Sequence, residues 1–117
     1  PAAPPAISFG AREFRIIEGA GALRIELPRP AGHAGPLRVA WRTVDQSARD
    51  DVDFAGSPAW RVAEAPADAR SVVIFIPIMD DDVPGPDLTF LVELRQAPGG
   101  LPVGAPSRAE VTIIDDD

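Results

Sequence analysis

The sequence predicts an all-β fold, a two-sheet antiparallel β-sandwich of immunoglobulin-like outline with roughly seven strands. In the 117 residues, 14 prolines and 10 glycines are spread along the whole length, so the elements must be short and separated by turns. Apolar residues alternate with polar ones in several short segments, and no segment shows helical spacing. The length fits one domain with a single core.

Seven segments show this strand pattern. In chain order they are 7–9 continuing toward 14–17, 22–27, 37–43, 57–62, 71–78, 89–95 and 109–114. In the third and sixth segments, alternation predicts the following core residues: Leu37, Val39, Trp41, Phe90, Val92 and Leu94. The fifth is apolar on both faces, which predicts a strand well inside a sheet. Pro77 is predicted to lie at a bulge or strand end because proline has no amide hydrogen to donate.

Acidic residues concentrate after the odd-numbered strands. If consecutive strands alternate in direction, the first, third, fifth and seventh strands end at the same pole of the molecule. The loops after these four strands contain 12 of the 18 acidic residues, namely Glu18, Asp45, Asp50, Asp51, Asp53, Asp80, Asp81, Asp82, Asp87, Asp115, Asp116 and Asp117. The sequence therefore predicts one strongly acidic pole.

Carboxylates that converge at one pole repel one another unless something neutralises them. Ca²⁺ suits such a site because it takes six to eight oxygen ligands with flexible geometry, whereas Mg²⁺ prefers to keep its waters. Zinc and copper lack ligands here, since there is no cysteine and the single histidine, His33, lies at the other pole. A single acidic run is usually just a solvated loop, so the prediction depends on the convergence of four loops.

Composition also excludes several classes of function. A net charge of −7 argues against nucleic acid as a partner, and no stretch is long and apolar enough for membrane insertion. Without cysteine or tyrosine, and with His33 expected in an exposed loop, no nucleophile and base can be paired, so we expect no enzyme. Trp41 and Trp60 resemble a sugar-stacking pair, but both alternate with apolar neighbours, which predicts core packing for each.

The order of the motifs resembles a Calx-beta domain. The matching stretches are "IIEGAG" (16–21), "VAWRTVDQSARDDVDF" (39–54), "VVIFIPIMDDD" (72–82), "DLTFLVEL" (87–94) and "VTIIDDD" (111–117). The resemblance covers residues 7–117 and leaves "PAAPPA" (1–6) as a linker. In calcium-binding members of the family, the ligand positions correspond here to Glu18, Asp53, Asp80, Asp81, Val83 through its carbonyl, Asp115, Asp116 and Asp117.

Two departures from the family pattern weaken the implied site. Gly85 and Leu88 occupy positions where exchanger-type domains have glutamates. The usual "DGTA" turn reads "DQSA" (45–48), so Gln46 replaces a glycine where a positive φ would favour glycine. We therefore expect fewer or weaker calcium ions, with an affinity of roughly 10⁻⁴–10⁻³ M.

The resemblance implies a calcium-binding structural or adhesive module of a larger multi-domain protein, of the bacterial surface or secreted type. The localisation would be extracellular or at the cell surface, and the isolated domain would be monomeric. Its partners would be neighbouring domains of the same chain, with Ca²⁺ stiffening a junction between domains. Two alternatives stay open: a spacer that has lost calcium binding, and an adhesion module for a cell-surface protein or a glycan.

Overall fold

The computed structural model describes residues 6–79, 85–104 and 106–114. Its strands are β1 Glu13–Ile17, β2 Ala22–Pro28, β3 Leu37–Asp45, β4 Arg61–Ala65, β5 Ser71–Pro77, β6 Leu88–Arg95 and β7 Arg108–Ile114. A three-residue 3₁₀ helix, Glu18–Ala20, lies between β1 and β2. In the described part of the chain, no helix is long and apolar enough to cross a membrane.

The strands form two sheets. One has five strands in the order β1-β7-β6-β3-β4, and the other pairs β2 with β5. All neighbouring strands are antiparallel except β1 and β7, which run parallel. Apolar side chains of both sheets meet in one buried cluster. This arrangement confirms the predicted all-β sandwich.

The core contains the residues that alternation predicts in the third and sixth strands. All six are between 0% and 8% exposed: Leu37, Val39, Trp41, Phe90, Val92 and Leu94. The polar residues between them face outward, where Arg38 pairs with Glu64 at 3.0 Å and Arg42 pairs with Glu93 at 2.8 Å. The period of two therefore gave the correct inner face for both strands.

The prediction that the fifth strand lies well inside a sheet is wrong. β5 pairs with β2 alone among the described strands. Its buried residues are Val72, Ile74 and Ile76, whereas Phe75 is 59% exposed. Apolar side chains often remain on protein surfaces, so an apolar outer face does not require a second covering layer. Pro77 ends the strand, as predicted.

The fourth strand begins at Arg61, later than the predicted start at residue 57. Ser57 belongs to a turn instead, because its hydroxyl donates to the Ala59 carbonyl at 2.6 Å. Its own carbonyl accepts the Thr43 amide at 2.7 Å. Pro58 follows directly and has no amide hydrogen for a strand ladder.

Trp60 therefore precedes β4, and its predicted core packing is wrong. It is partly exposed and is not a member of the buried cluster, to which Trp41 does belong. Sequence alternation misled here because the register of β4 with β3 sends residue 60 toward the outer face, opposite the outward-facing Arg42.

Residues 7–9 do not continue into β1. Ile7 and Phe9 are buried, and their amides donate to the carbonyls of Pro102 and Pro106, each at 3.0 Å. Residues 7–9 therefore pair with the segment that precedes β7, and they are separate from β1, which begins at Glu13. The division into a linker at 1–6 and a domain at 7–117 stays a prediction, since residues 1–5 lie outside the described part.

Strand direction brings the acid-bearing loops to one end of the sandwich. β1 runs parallel to β7, and both β3 and β7 run antiparallel to β6, so β1, β3 and β7 finish at the same pole. β5 finishes there too, because the Ile78 amide bonds to the Gly21 carbonyl at the start of β2. We term this end, with described residues 18–21, 45–56, 78–79 and 85–87, the acidic pole.

Candidate metal centre

The ends of β1 and β7 lie side by side at the acidic pole. Ile17 pairs with Ile114 in the parallel ladder, and these two residues directly precede Glu18 and Asp115 in the sequence. Leu88, at the start of β6, pairs with Ile113. The first and last acid-bearing stretches therefore start from neighbouring positions.

The end of β5 is tied to two other loops of this pole. The Ile78 amide donates to the Gly21 carbonyl at 2.9 Å, and the Met79 amide donates to the Asp53 carbonyl at 3.0 Å. The Ala55 amide donates to the Pro77 carbonyl at 2.8 Å. Three loops that are distant in sequence thus form one hydrogen-bonded unit.

Backbone amides compensate part of the negative charge in the loop after β3. Asp53 Oδ2 accepts the Arg49 amide at 2.9 Å, and Asp50 Oδ1 accepts the Gly56 amide at 2.8 Å. Asp45 Oδ1 accepts the Asp50 amide at 3.1 Å. An ionised carboxylate has about four acceptor sites, so a single such bond leaves Asp53 able to bind a cation.

Phe54 fixes the position of Asp53. Its ring stacks on that of Phe90, with centroids 3.9 Å apart and an interplanar angle of 12°. Both rings are fully buried. The residue after Asp53 is therefore anchored in the core, so the carboxylate lies on a well-supported stretch of backbone.

Glu18 is unusual for a carboxylate at the end of a sandwich, because it is only 8% exposed. The 3₁₀ helix Glu18–Ala20 turns the chain inward directly after β1. Burying a carboxylate is costly unless donors or cations surround it, and Glu18 does have a polar or electrostatic contact in the protein. Glu18 is therefore a mostly buried carboxylate at the acidic pole.

Of the predicted calcium ligands, the structure describes Glu18 and Asp53, and both belong to the acidic pole. The others lie outside the described residues: Asp80, Asp81, Val83, Asp115, Asp116 and Asp117. Within residues 6–79, 85–104 and 106–114, no three acidic or histidine side chains are grouped as a metal site. The oxygen donors that are described suit a hard cation such as Ca²⁺.

The concern about Gln46 is not supported by the structure. Asp51, with φ of 66°, is the non-glycine residue with positive φ in the described part, and Gln46 is not. The neighbouring Ser47 hydroxyl accepts the Thr89 amide at 2.8 Å, and the Ala48 amide donates to the Thr89 carbonyl at 2.8 Å. The "DQSA" turn is therefore stabilised by β6 without a glycine.

His33 lies in the loop between β2 and β3, at the opposite pole, as predicted. It is partly buried rather than fully exposed, and its Nε2 lies 3.2 Å from the Pro36 carbonyl. Sequence reasoning missed the capping roles of Asp45 and Asp50. The signal was available, since aspartates in tight turns commonly accept nearby backbone amides.

Comparison with known proteins identifies relatives for the whole chain. The family model described as the Calx-beta domain matches residues 1–117. A stretch of 49 residues is 41% identical to the adhesion G-protein coupled receptor V1 of Danio rerio. That stretch is 40% of this chain and spans about 1% of the receptor's length.

Solved structures share the fold over nearly the full length. The apo form of the Calx CBD1 domain superposes with a TM-score of 0.81 at 25% identity, covering 96% of this chain and 97% of that one. The calcium binding domain CBD12 of CALX1.1 gives 0.81 at 25% identity, with coverages of 95% and 44%. The Calx CBD2 domain gives 0.83 at 17% identity, with coverages of 99% and 92%, which shows the fold alone.

Proposed function

This chain belongs to the Calx-beta domain family, and we propose that it is a calcium-binding structural or adhesive module of a larger extracellular protein. The observation that carries the proposal is the hydrogen-bonded unit at the acidic pole. There the Met79 amide meets the Asp53 carbonyl, and the Ile78 amide meets the Gly21 carbonyl. These bonds hold separate acid-bearing loops together, as a site that takes ligands from several loops requires.

Glu18 and Asp53 would hold the ion together with Asp80, Asp81, Asp115, Asp116 and Asp117, and the Val83 carbonyl would add a further oxygen. Bound calcium would supply charge compensation for carboxylates that otherwise repel one another. The protein's part is to bring these oxygens to one pole and to anchor them, which the buried Phe54 does for Asp53. We propose weak binding, because Gly85 and Leu88 stand where exchanger-type domains have glutamates.

The proposal extends to a junction between domains. Three exposed apolar side chains lie at or directly beside the acidic pole, and each directly precedes a proposed ligand: Ile17 is 52% exposed, Val52 64% and Met79 39%. Exposed apolar side chains next to proposed ligands suit contact with a neighbouring domain, since such a contact would exclude water from the ion site. Calcium would then stiffen the contact between this module and the next.

An extracellular or cell-surface location is part of the same proposal. It is supported by the similarity to the adhesion receptor, which is limited to 49 residues. The calcium-binding domain CBD12 among the structural relatives supports the choice of metal. We also propose that the parent protein is a bacterial surface or secreted protein. The module itself is proposed to have no enzymatic activity.

The decisive experiment is thermal unfolding of the domain in chelator, in millimolar calcium and in millimolar magnesium. Millimolar calcium is about 10 times the dissociation constant of a site with a Kd of roughly 10⁻⁴ M, and it stabilises the folded state by roughly 1.4 kcal/mol, which moves the Tm by several degrees. We expect a rise in Tm that is larger for calcium than for magnesium. The same Tm in all three media would contradict calcium binding and would favour the second candidate, a spacer that has kept the fold and lost the ion.

A further inference from the structure

The outer face of the five-stranded sheet carries a cleft of about 490 Å³. Ala40 of β3 forms its floor. Trp60 and Val62 form one wall, while Arg95 and the turn 96–99 form the other. The cleft lies beside the turn that follows β6, away from the acidic pole.

Trp60, in the wall of the cleft, contacts two arginines. The guanidinium carbons of Arg42 and Arg95 lie 4.7 Å and 4.3 Å from the centroid of the Trp60 ring. Such contacts are attractive because the ring face is electron-rich. Ala40 is only 3% exposed although its neighbours Arg38 and Arg42 face outward, so larger side chains cover it.

The two arginines differ in what else they contact. Arg42 donates from Nε to Glu93 at 2.8 Å, so its charge is compensated. Arg95 is exposed, and within the described residues its guanidinium contacts Trp60 and forms no ion pair. A guanidinium has five N–H donors in a planar fork that matches a carboxylate, so Arg95 is available to an anionic ligand.

The wall opposite Trp60 is held firmly in place. The Gly100 amide donates to the Ala97 carbonyl at 2.8 Å, and Gln96 Nε2 donates to the Gly100 carbonyl at 3.0 Å. A Cβ at Gly100 would lie 2.5 Å from the Arg38 carbonyl oxygen, so the turn packs directly on the β3 backbone. The cleft is therefore formed before any ligand arrives, which lowers the entropic cost of binding.

We propose that this cleft binds an acidic peptide segment of a partner protein, with a carboxylate on Arg95 and an apolar side chain against Val62. Charge complementarity supports an acidic partner, because the Arg95 guanidinium is exposed and forms no ion pair with the described residues. Val62 is 43% exposed and offers apolar area beside the charge. A sugar ring is disfavoured, since stacking needs an open aromatic face and two guanidinium groups already lie over Trp60.

The test is a titration with a blocked hexapeptide of alternating Asp and Leu, followed by calorimetry and by tryptophan fluorescence. The chain has two tryptophans and no tyrosine, and Trp41 is buried, so a ligand-induced change reports on Trp60. Arg95→Gln should weaken binding by roughly tenfold, as expected for a lost charge-assisted contact. Arg15→Gln, on the exposed face of β1, removes the same charge elsewhere and should leave binding unchanged.

Val62→Glu supplies a second test, because it places a like charge beside the bound carboxylate and should also weaken binding. Tm values establish that each variant is folded, and titrations with and without calcium separate this cleft from the acidic pole. Equal binding by Arg95→Gln and Arg15→Gln would overturn the proposal. So would equal binding of a peptide with Asn in place of Asp, or Arg95-dependent binding of oligogalacturonate in place of the peptide.

Discussion

The backbone amide of Met79 donates a 3.0 Å hydrogen bond to the carbonyl oxygen of Asp53. Because both atoms belong to the backbone, this bond between the end of β5 and the loop after β3 does not depend on the Asp53 side chain. The carboxylate of Asp53 can therefore be changed while the arrangement of the loops is kept. A substitution of Asp53 therefore tests its role as an ion ligand separately from its role in the loop structure.

Asp53→Asn should lower the calcium-induced rise in Tm and change the Tm in chelator little. The amide oxygen of Asn still accepts the Arg49 amide, but one negative ligand is lost. A tenfold weaker site gives up about 1.4 kcal/mol of stabilisation at saturating calcium. Asp68→Asn, an exposed change at the opposite pole, is the control. Equal losses in calcium and in chelator would assign Asp53 a structural role only.

Glu93 should contribute stability that depends on pH. Burial raises the pKa of its carboxyl, but hydrogen bonds from Arg108 and Arg42 lower it by more, so the pKa lies below its ordinary value. A group whose pKa is depressed on folding stabilises the protein above its unfolded pKa. This contribution is lost as the pH falls below the ordinary pKa of a glutamate and through the lowered pKa of the folded state.

The measurement is urea unfolding of the wild type and Glu93→Gln between about pH 7 and pH 3. At neutral pH the variant should be less stable by roughly 1–3 kcal/mol, because three charge-assisted hydrogen bonds from two arginines are weakened. The difference in the free energy of unfolding should shrink as the pH falls. A difference that stays constant with pH would show that the carboxylate charge of Glu93 is not what stabilises the fold.

Gly56→Ala should destabilise the loop that carries the acids. A Cβ at this position would meet Thr43 Oγ1 and would lie 2.6 Å from the Phe54 ring. Thr43 Oγ1 accepts the Ser57 amide at 2.9 Å, so its displacement also breaks a buried hydrogen bond. We expect a loss of roughly 1–3 kcal/mol in urea unfolding. Gly10→Ala, with no atom within 4 Å, is the matched control and should change stability by less than about 0.5 kcal/mol.

The two tryptophans should differ in their contributions to stability. Trp41→Ala removes a buried core residue and should cost roughly 3–5 kcal/mol. Trp60→Ala removes the contacts with Arg42 and Arg95 on the outer face, which are worth about 0.5–1 kcal/mol each. Chemical denaturation of both variants compares them directly. If the two losses were equal, Trp60 would belong to the core in solution.

Much of the fold was predictable because the inner faces of the strands are set by local alternation. Leu37, Val39 and Trp41 in β3 identify that strand's core side whatever its neighbours are. Which strands lie next to each other is not a local property. The fifth segment reads as a central strand, yet β5 pairs with β2 alone among the described strands. Phe75 is accordingly exposed on its outer side.

By itself, the sequence determined the all-β class, the inner faces of β3 and β6, and the grouping of acidic loops after strands of one direction. The inner faces follow from the alternation of side chains within each strand. The grouping of the acidic loops follows from the alternating direction of consecutive strands. Only the tertiary structure decided that Ile17 lies beside Ile114, that Met79 bonds to Asp53, and that Trp60 contacts Arg42 and Arg95. The physical reason is that these contacts join residues distant in the chain, and their register depends on packing of the whole core.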